Sequence, residues 1–412
     1  MSTTDATSMP HHGDRTFVTA AVAMLATQSL TSFAWQTIPS LAPAAAPSLG
    51  ISAQNIGFLT SIVYLFAGLS AAAGGALAGR IGGIRVSQAA LLACALGVAL
   101  FGCGSLLLVP LVGVLIGCGY GPATPASSQI LARVTPPRLT NLVFSIKQTG
   151  LPLGGALAGI SVPWLERAWG WQATTTIVAV VCLAVVACLF PLRRTYDVEN
   201  KGGNRASLSL ADFWHPAVAV WRDPLLRRMA FVSIFFSATQ GSLVVFIVEY
   251  GVSRLGMTLI EAGALAFLLQ MSGVAGRLVW AFFADRLGGA RRVLLILAVA
   301  VTCGLVVLAL ADPTWPRPVF VVLVAFLGIT GVSWTGVYLA EVARMAPAGT
   351  VEPITGGMTL YTFSGPLLFP TLVSGALWLT GSYAIGFGLL ALGTATSAFL
   401  MLGLVKARPD AG

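Results

Sequence analysis

Twelve apolar stretches recur along this chain, at about residues 17–38, 56–78, 86–108, 110–132, 141–162, 172–191, 229–250, 260–284, 293–311, 318–342, 354–379 and 383–404. Each runs for about 20 residues, the length an α-helix needs to cross roughly 30 Å of hydrocarbon. In lipid every backbone N–H and C=O must be paired within the protein, which leaves only helices or closed barrels. The runs are continuously apolar rather than alternating. The predicted fold is therefore an all-α integral membrane protein with twelve transmembrane helices. Composition agrees: 57% of the residues are hydrophobic and 9% charged, against about 25% charged in soluble domains.

The net charge of +9 is better read as topology than as a nucleic-acid footprint. With the N-terminus inside and the spans alternating, eighteen of the 23 Lys and Arg residues fall in cytoplasmic segments. Arg167, Arg254 and Arg317 fall in external loops, and Lys147 and Arg277 lie within spans. This is the positive-inside pattern, and one missed span would scramble it. The expectation is a multi-pass protein of the cell's inner, cytoplasmic membrane, with both termini cytoplasmic. The first span is not read as a signal peptide. Ala42–Ala46 offers a small-residue cleavage pattern, but it is interrupted by Pro43 and the apolar run is long. The six cysteines all fall in apolar stretches without metal-ligand spacing and are read as packing residues. Nothing resembles a nucleotide-binding loop, so energy should come from gradients; no metal and no cofactor are expected.

A polar stretch, about Arg193–Arg228, divides the chain in two. The expected organisation is a cytoplasmic tail (1–16), a six-helix bundle (17–191), a cytoplasmic central loop (192–228), a second six-helix bundle (229–404) and a cytoplasmic tail (405–412). Within the loop, Leu208–Trp221 reads as a short surface helix whose Trp214 and Trp221 suit the membrane interface. The bundles repeat. Ala78-Gly79-Arg80-Ile81-Gly82-Gly83 follows the second span, and Ala284-Asp285-Arg286-Leu287-Gly288-Gly289 follows the eighth, an offset of 206 residues. At the same offset Gly57 matches Gly263, Tyr64 matches Gln270 and Ala71 matches Arg277. Positive-inside alone explains the arginines of these turns, but not one motif at matching places in both halves. Parallel repeats of six spans fit a transporter that rocks two halves about a central site.

On these residues the chain resembles the major facilitator superfamily over essentially its whole length: twelve spans, a long loop after the sixth, and a Gly-x-x-x-Asp-Arg-x-Gly-type motif after the second and eighth. The resemblance implies a conformational motif built here from Gly79, Arg80, Gly83, Asp285, Arg286 and Gly289. The first copy has Gly79 where the family usually has Asp, so the latch role implied for that Asp passes mainly to Asp285. The fourth span carries Gly113 where proton-coupled drug exporters often have Arg. The fifth, Gly150-Leu-Pro152-Leu-Gly154-Gly155, is only loosely similar to the exporter signature.

Lys147 and Arg277 carry most of the functional argument. A cation at the centre of an inserted helix costs roughly 2.5–3.5 kcal/mol on the translocon scale. The spans offer no obvious carboxylate in answer, and between Asp14 and Glu166 the chain has no Asp or Glu at all. Lys147 lies roughly 13 Å past Arg138 at about 1.5 Å per residue, and Arg277 lies at similar depth before Asp285. The resemblance implies that the fifth and eighth helices face one another, which would bring both cations to a shared cavity. Gly276-Arg277 is similar to the Gly-Arg pair of several carboxylate-carrying members; Lys147 has no such counterpart. The plainer alternatives are snorkelling to the cytoplasmic surface or a structural hydrogen bond to backbone carbonyls. The resemblance also makes the first, fourth, seventh and tenth spans line the pathway. Candidate substrate-binding residues are then Lys147, Arg277, Gln148, Gln270, Trp35, Gln36, Tyr64, Tyr120, Gln240, Trp334 and Tyr338, with Gln28 on the face of Trp35. The acids Glu249, Glu261, Glu341 and Glu352 read as peripheral.

The expected function is secondary active transport of a small organic anion, a carboxylate above all, by alternating access, by a monomer and without enzymatic activity. Proton coupling stays open, through a weak-acid substrate or Glu249. One rival is a multidrug or hydrophobic-solute efflux antiporter of the same fold, which would call for an acidic pocket. Another is a membrane sensor that binds a ligand without moving it.

Overall fold

A computed structural model describes residues 12–136, 139–197, 210–287, 289–347 and 350–406, and the backbone alone of 12–16, 72, 140–142, 145, 210–214, 285 and 351–353. The chain runs α1 (His12–Leu49), α2 (Ile56–Ile81), α3 (Gly83–Gly102), α4 (Val109–Val134), α5 (Thr140–Gln148), α6 (Gly150–Cys188) and α7 (Arg193–Tyr196). After α8 (Leu210–Arg222) come α9 (Pro224–Ser253), α10 (Leu259–Arg286), α11 (Ala290–Ala309), α12 (Arg317–Leu327), α13 (Thr335–Met345), α14 (Val351–Thr380) and α15 (Tyr383–Lys406). Among the described residues eleven helices are long and apolar enough to cross a membrane. The longest, Ile146–Cys188 with 43 residues, would reach about 65 Å if straight, twice the hydrocarbon thickness. It is broken at Gly170, whose φ of 79° and ψ of 165° belong to a region essentially restricted to glycine. The two arms are the expected fifth and sixth spans, so the crossings number the twelve expected.

Two spans differ from their expected form. The first was expected to end near residue 38, but α1 continues to Leu49 through Pro39, Pro43 and Pro47. A proline in a membrane helix removes single donors that neighbours can replace, so falling hydropathy was a poor guide to the helix end. The tenth span is not one helix. A π-helical turn, Gly328–Val332, separates α12 from α13. There α10 packs close: a Cβ on Gly276 would lie 2.7 Å from the Ile329 carbonyl oxygen, and one on Gly273 2.6 Å from Val332. The same carbonyl accepts from Trp280 Nε1 at 2.8 Å.

The halves, α1–α7 and α9–α15, meet through α1, α2 and α6 against α9, α10 and α14. The seam is tight at the ends of these helices remote from the chain termini. Gly57 N donates to Ser374 Oγ (3.2 Å) and Thr371 Oγ1 donates to Gly57 O (3.2 Å). Ser61 Oγ donates to Leu367 O, and Ser374 Oγ to Gln54 O. Beside them α6 crosses α10 at Gly159 and Gly263, where a Cβ on Gly263 would run into the Gly159 carbonyl and lie 2.6 Å from Pro163 Cγ. Further along α2 the contact loosens. Gly68 has only Phe363 Cβ near, at 4.0 Å, and Gly74, Gly75 and Gly79 have as nearest neighbours Pro122, Pro125 and Gln129 of their own half.

Candidate functional site

The break between α5 and α6 sets the geometry of the site. In a continuous helix the Gln148 carbonyl would accept from the N–H of residue 152, but that residue is Pro152, which has none. The vacancy is filled from the other half: Arg277 Nη1 donates to Gln148 O at 3.3 Å. Arg277 is half-buried, and its Nε is buried without a hydrogen-bond partner. Gly276, one residue earlier, lets α10 approach the π-helical turn.

Lys147 is 2% exposed. Its ammonium donates to Thr124 O at 3.1 Å and to Ser128 Oγ at 2.7 Å, both on α4 of its own half, and lies 5.8 Å from the Phe144 ring centre. This is the structural hydrogen bond to a carbonyl that stood as the plainer alternative. The helices bring Arg277 onto the residue beside Lys147, but the two side chains bond to different helices. Among the described residues neither takes part in an ion pair.

Three polar and aromatic sets lie on the helices around this pair. Gln28 Nε2 donates to Thr124 Oγ1 (2.9 Å) and to Gln148 Oε1 (3.2 Å), while Gln28 Oε1 is buried without a partner. Gln270 Nε2 donates across the seam to Gln36 Oε1 at 3.0 Å, and Gln36 Nε2 to Ser32 Oγ at 3.1 Å. Gly155 makes room for both amides, since a Cβ there would run into each of them. Tyr120 stands one turn before Thr124 on α4. Tyr64 sits among three rings: Tyr120 at 6.1 Å, Trp35 at 6.3 Å and, from the other half, Phe363 at 6.1 Å. Tyr64, Tyr120, Thr124, Gln148, Arg277 and Phe363 are all half-buried.

Gln240, Trp334 and Tyr338 form a separate group within the second half. Trp334 Nε1 donates to Gln240 Oε1 at 2.9 Å, and Trp334 stacks on Phe236 at 5.4 Å. The Tyr338 hydroxyl is engaged by Met229 O (3.3 Å) and Met358 Sδ (3.2 Å), which makes it a packing residue between α9, α13 and α14.

Thr124, Ser128 and Phe363 were missed by sequence reasoning. The hydroxyls at 124 and 128 are four apart on one helical face in an apolar span, a readable signal. Phe363 carried none that separates it from packing aromatics.

In the motif turns, Gly82 rather than Gly83 takes positive φ (103°), and in the second copy Gly289 does (105°), one residue later in the repeat. Asp197, unforeseen, caps α3: its carboxylate accepts from Ile84 N (2.7 Å) and Arg85 N (3.1 Å). Arg286 lies over the Phe282 ring at 3.7 Å, and Arg80 is exposed at the end of α2. The Asp285 side chain lies outside the described residues. Two acids read as peripheral are buried instead. Glu341 bridges Arg291 and Arg344, each at 2.6 Å, and Glu249 on α9 is 2% exposed with Oε2 unpartnered. Each stands near a helix end, where sequence position suggests solvent, but tertiary packing covers it.

Residues 24–370 match the family model described as Major Facilitator Superfamily. Two uncharacterized MFS-type transporters, from two strains of Mycobacterium tuberculosis, are 26% identical over 282 residues, 67% of this chain. The match spans 61% of the length of these relatives. Among solved structures, a peptide transporter POT mutant in complex with sulfate superposes with a TM-score of 0.75 at 17% identity, covering 93% of this chain and 94% of that one. A mutant of the nucleoside transporter NupG gives 0.75 at 17%, covering 94% and 100%. A bacterial homologue of the human lysosomal transporter Spinster, inward-facing and occupied, gives 0.74 at 13%, covering 96% and 98%. At these identities the likeness is one of fold.

Proposed function

The chain belongs to the major facilitator superfamily, and from that premise we propose that it is a secondary transporter carrying a small organic anion, a carboxylate, across the cytoplasmic membrane by alternating access. The observation that carries this reading is Arg277. Its guanidinium stands at the seam between the halves, donates to one neutral carbonyl, leaves Nε–H unused and meets no carboxylate among the described residues. A planar fork with spare donors pairs bidentately with a carboxylate. An unoccupied cation also opposes dehydration of the cleft, so occupancy by an anion lowers the cost of closing it.

Lys147 supports the site from behind. Its charge adds to the positive potential at Gln148, while its hydrogen bonds tie α5 to α4. The tight seam remote from the termini and the looser contact towards them fit one end-state of a rocking cycle, open to the cytoplasm in the positive-inside orientation. A drug-cation exporter is disfavoured, because the seam offers a cation where that chemistry needs an acid.

The test is uptake of labelled carboxylates into proteoliposomes. Arg277→Ala should remove uptake while the protein still purifies folded; Arg277→Lys should restore only part, because the fork is lost. Wild-type uptake by folded Arg277→Ala protein would sink the assignment. Binding without uptake by the wild type would favour a sensor.

A further inference from the structure

We propose that the carried anion is a monocarboxylate with a flat apolar body, an aryl or arylalkyl carboxylate; this rests on the anion-carrier reading above and narrows it. Two independent observations point there.

The first is the number of available charges. Lys147, 2% exposed, already directs its ammonium at Thr124 O and Ser128 Oγ. Arg277 keeps an unused Nε–H at the seam. One guanidinium can neutralise one carboxylate. A dicarboxylate or a doubly charged phosphate would leave its second charge among neutral amides, because the other cation nearby, Lys147, has its ammonium turned to α4. Bringing a charge into such a place unpaired is costly.

The second is what stands beside Arg277. Tyr120 lies one turn before Thr124 on α4, and Thr124 shares the Gln28 amide with Gln148, whose carbonyl accepts from Arg277. Tyr120 meets Tyr64 edge to face, at 6.1 Å and 72°, and Tyr64 meets Phe363 of the other half at 6.1 Å. All three rings are half-buried. Towards the interior, Trp35 closes the set at 6.3 Å from Tyr64. A short hydrophilic anion would gain nothing from these surfaces and would leave them wet. An aromatic or similarly flat body would displace that water and take up the offset or edge-on contacts rings prefer. The set also straddles the seam, with Tyr64 and Tyr120 on one half and Phe363 and Arg277 on the other. A ligand that spans head and body therefore touches both halves, as a substrate that draws the halves together must.

The experiment is a thermal-shift and equilibrium-binding panel on the purified full-length protein at neutral pH, using benzoate, phenylacetate, acetate, succinate, inorganic phosphate and benzamide. Benzoate or phenylacetate should stabilise the protein and bind at least tenfold more tightly than acetate, succinate or phosphate. Benzamide, which keeps the ring and loses the charge, should not bind measurably. Tyr64→Leu should reduce the preference for the aromatic acid over acetate by roughly 2- to 12-fold, the worth of one aromatic contact. Equal or tighter binding of succinate, phosphate or acetate would overturn this inference and leave the anion-carrier reading standing. Binding of benzamide as tight as that of benzoate, or no shift from any anion, would overturn both. An unchanged preference in folded Tyr64→Leu would remove the aromatic set from recognition and overturn the inference as well.

Discussion

At the scale of single residues, the two cations foreseen from charge in apolar helices separate into different roles. The cost of a charge in lipid makes both legible in the sequence. Their partners were not, because Thr124, Ser128 and the Gln148 carbonyl are brought near by helix packing. Lys147 bonds only to neutral groups of α4, so an apolar side chain of similar length loses two hydrogen bonds and relieves the burial of a charge, effects of opposite sign. Lys147→Met should therefore change the unfolding free energy by no more than about 1 kcal/mol in either direction. It should lower carboxylate uptake less than Arg277→Ala does. Thermal unfolding in detergent and uptake in proteoliposomes read the two effects. A complete loss of uptake with unchanged melting would put the lysine on the substrate.

At the scale of elements, prolines and glycines shape the helices that carry the site. Gly170 joins the arms of α6 in a backbone region essentially closed to other residues, with nothing within 4 Å of an added Cβ. Gly170→Ala should therefore destabilise through backbone strain alone, by about 1–3 kcal/mol, seen as a lower midpoint in thermal or denaturant unfolding. Pro152 acts through the donor it lacks. Pro152→Ala would give the Gln148 carbonyl an N–H from its own helix and weaken its hold on Arg277, so anion affinity should rise by a few-fold. Unchanged affinity in folded Pro152→Ala would mean that the carbonyl does not compete with the ligand. Hydropathy made the spans readable to within a turn at most ends. It did not make readable the run of α1 to Leu49 or the π-helical turn of the tenth span, since both depend on neighbours that supply or crowd backbone groups.

At the scale of the molecule, the halves close through glycines. Repetition at an offset of 206 residues announced the two-fold plan, and Gly57 and Gly263 appeared in it as a matched pair. Both sit in the tight part of the seam, against Pro370 and Gly159 respectively. What the sequence could not reveal is which end of the seam is shut, because closure is a property of packing between halves. Gly263→Leu should wedge α10 from α6. Spin labels placed on the two halves at that end should show a longer distance population than in the unsubstituted protein. An unchanged distance distribution would show that the crossing tolerates a side chain and does not govern closure.

Pro152 has a consequence for the cycle itself. A helix that satisfies its own backbone is indifferent to where its neighbour goes. The one that begins at Gly150 is not, because one carbonyl before it relies on a donor anchored in the opposite half. In the proposed cycle, whenever that arginine turns to an incoming anion, the carbonyl must be handed to water. Whenever the anion leaves, the arginine has a waiting acceptor to return to. Loading and unloading would thus exchange one hydrogen-bond partner for another, and the carbonyl would be a built-in surrogate for the proposed cargo.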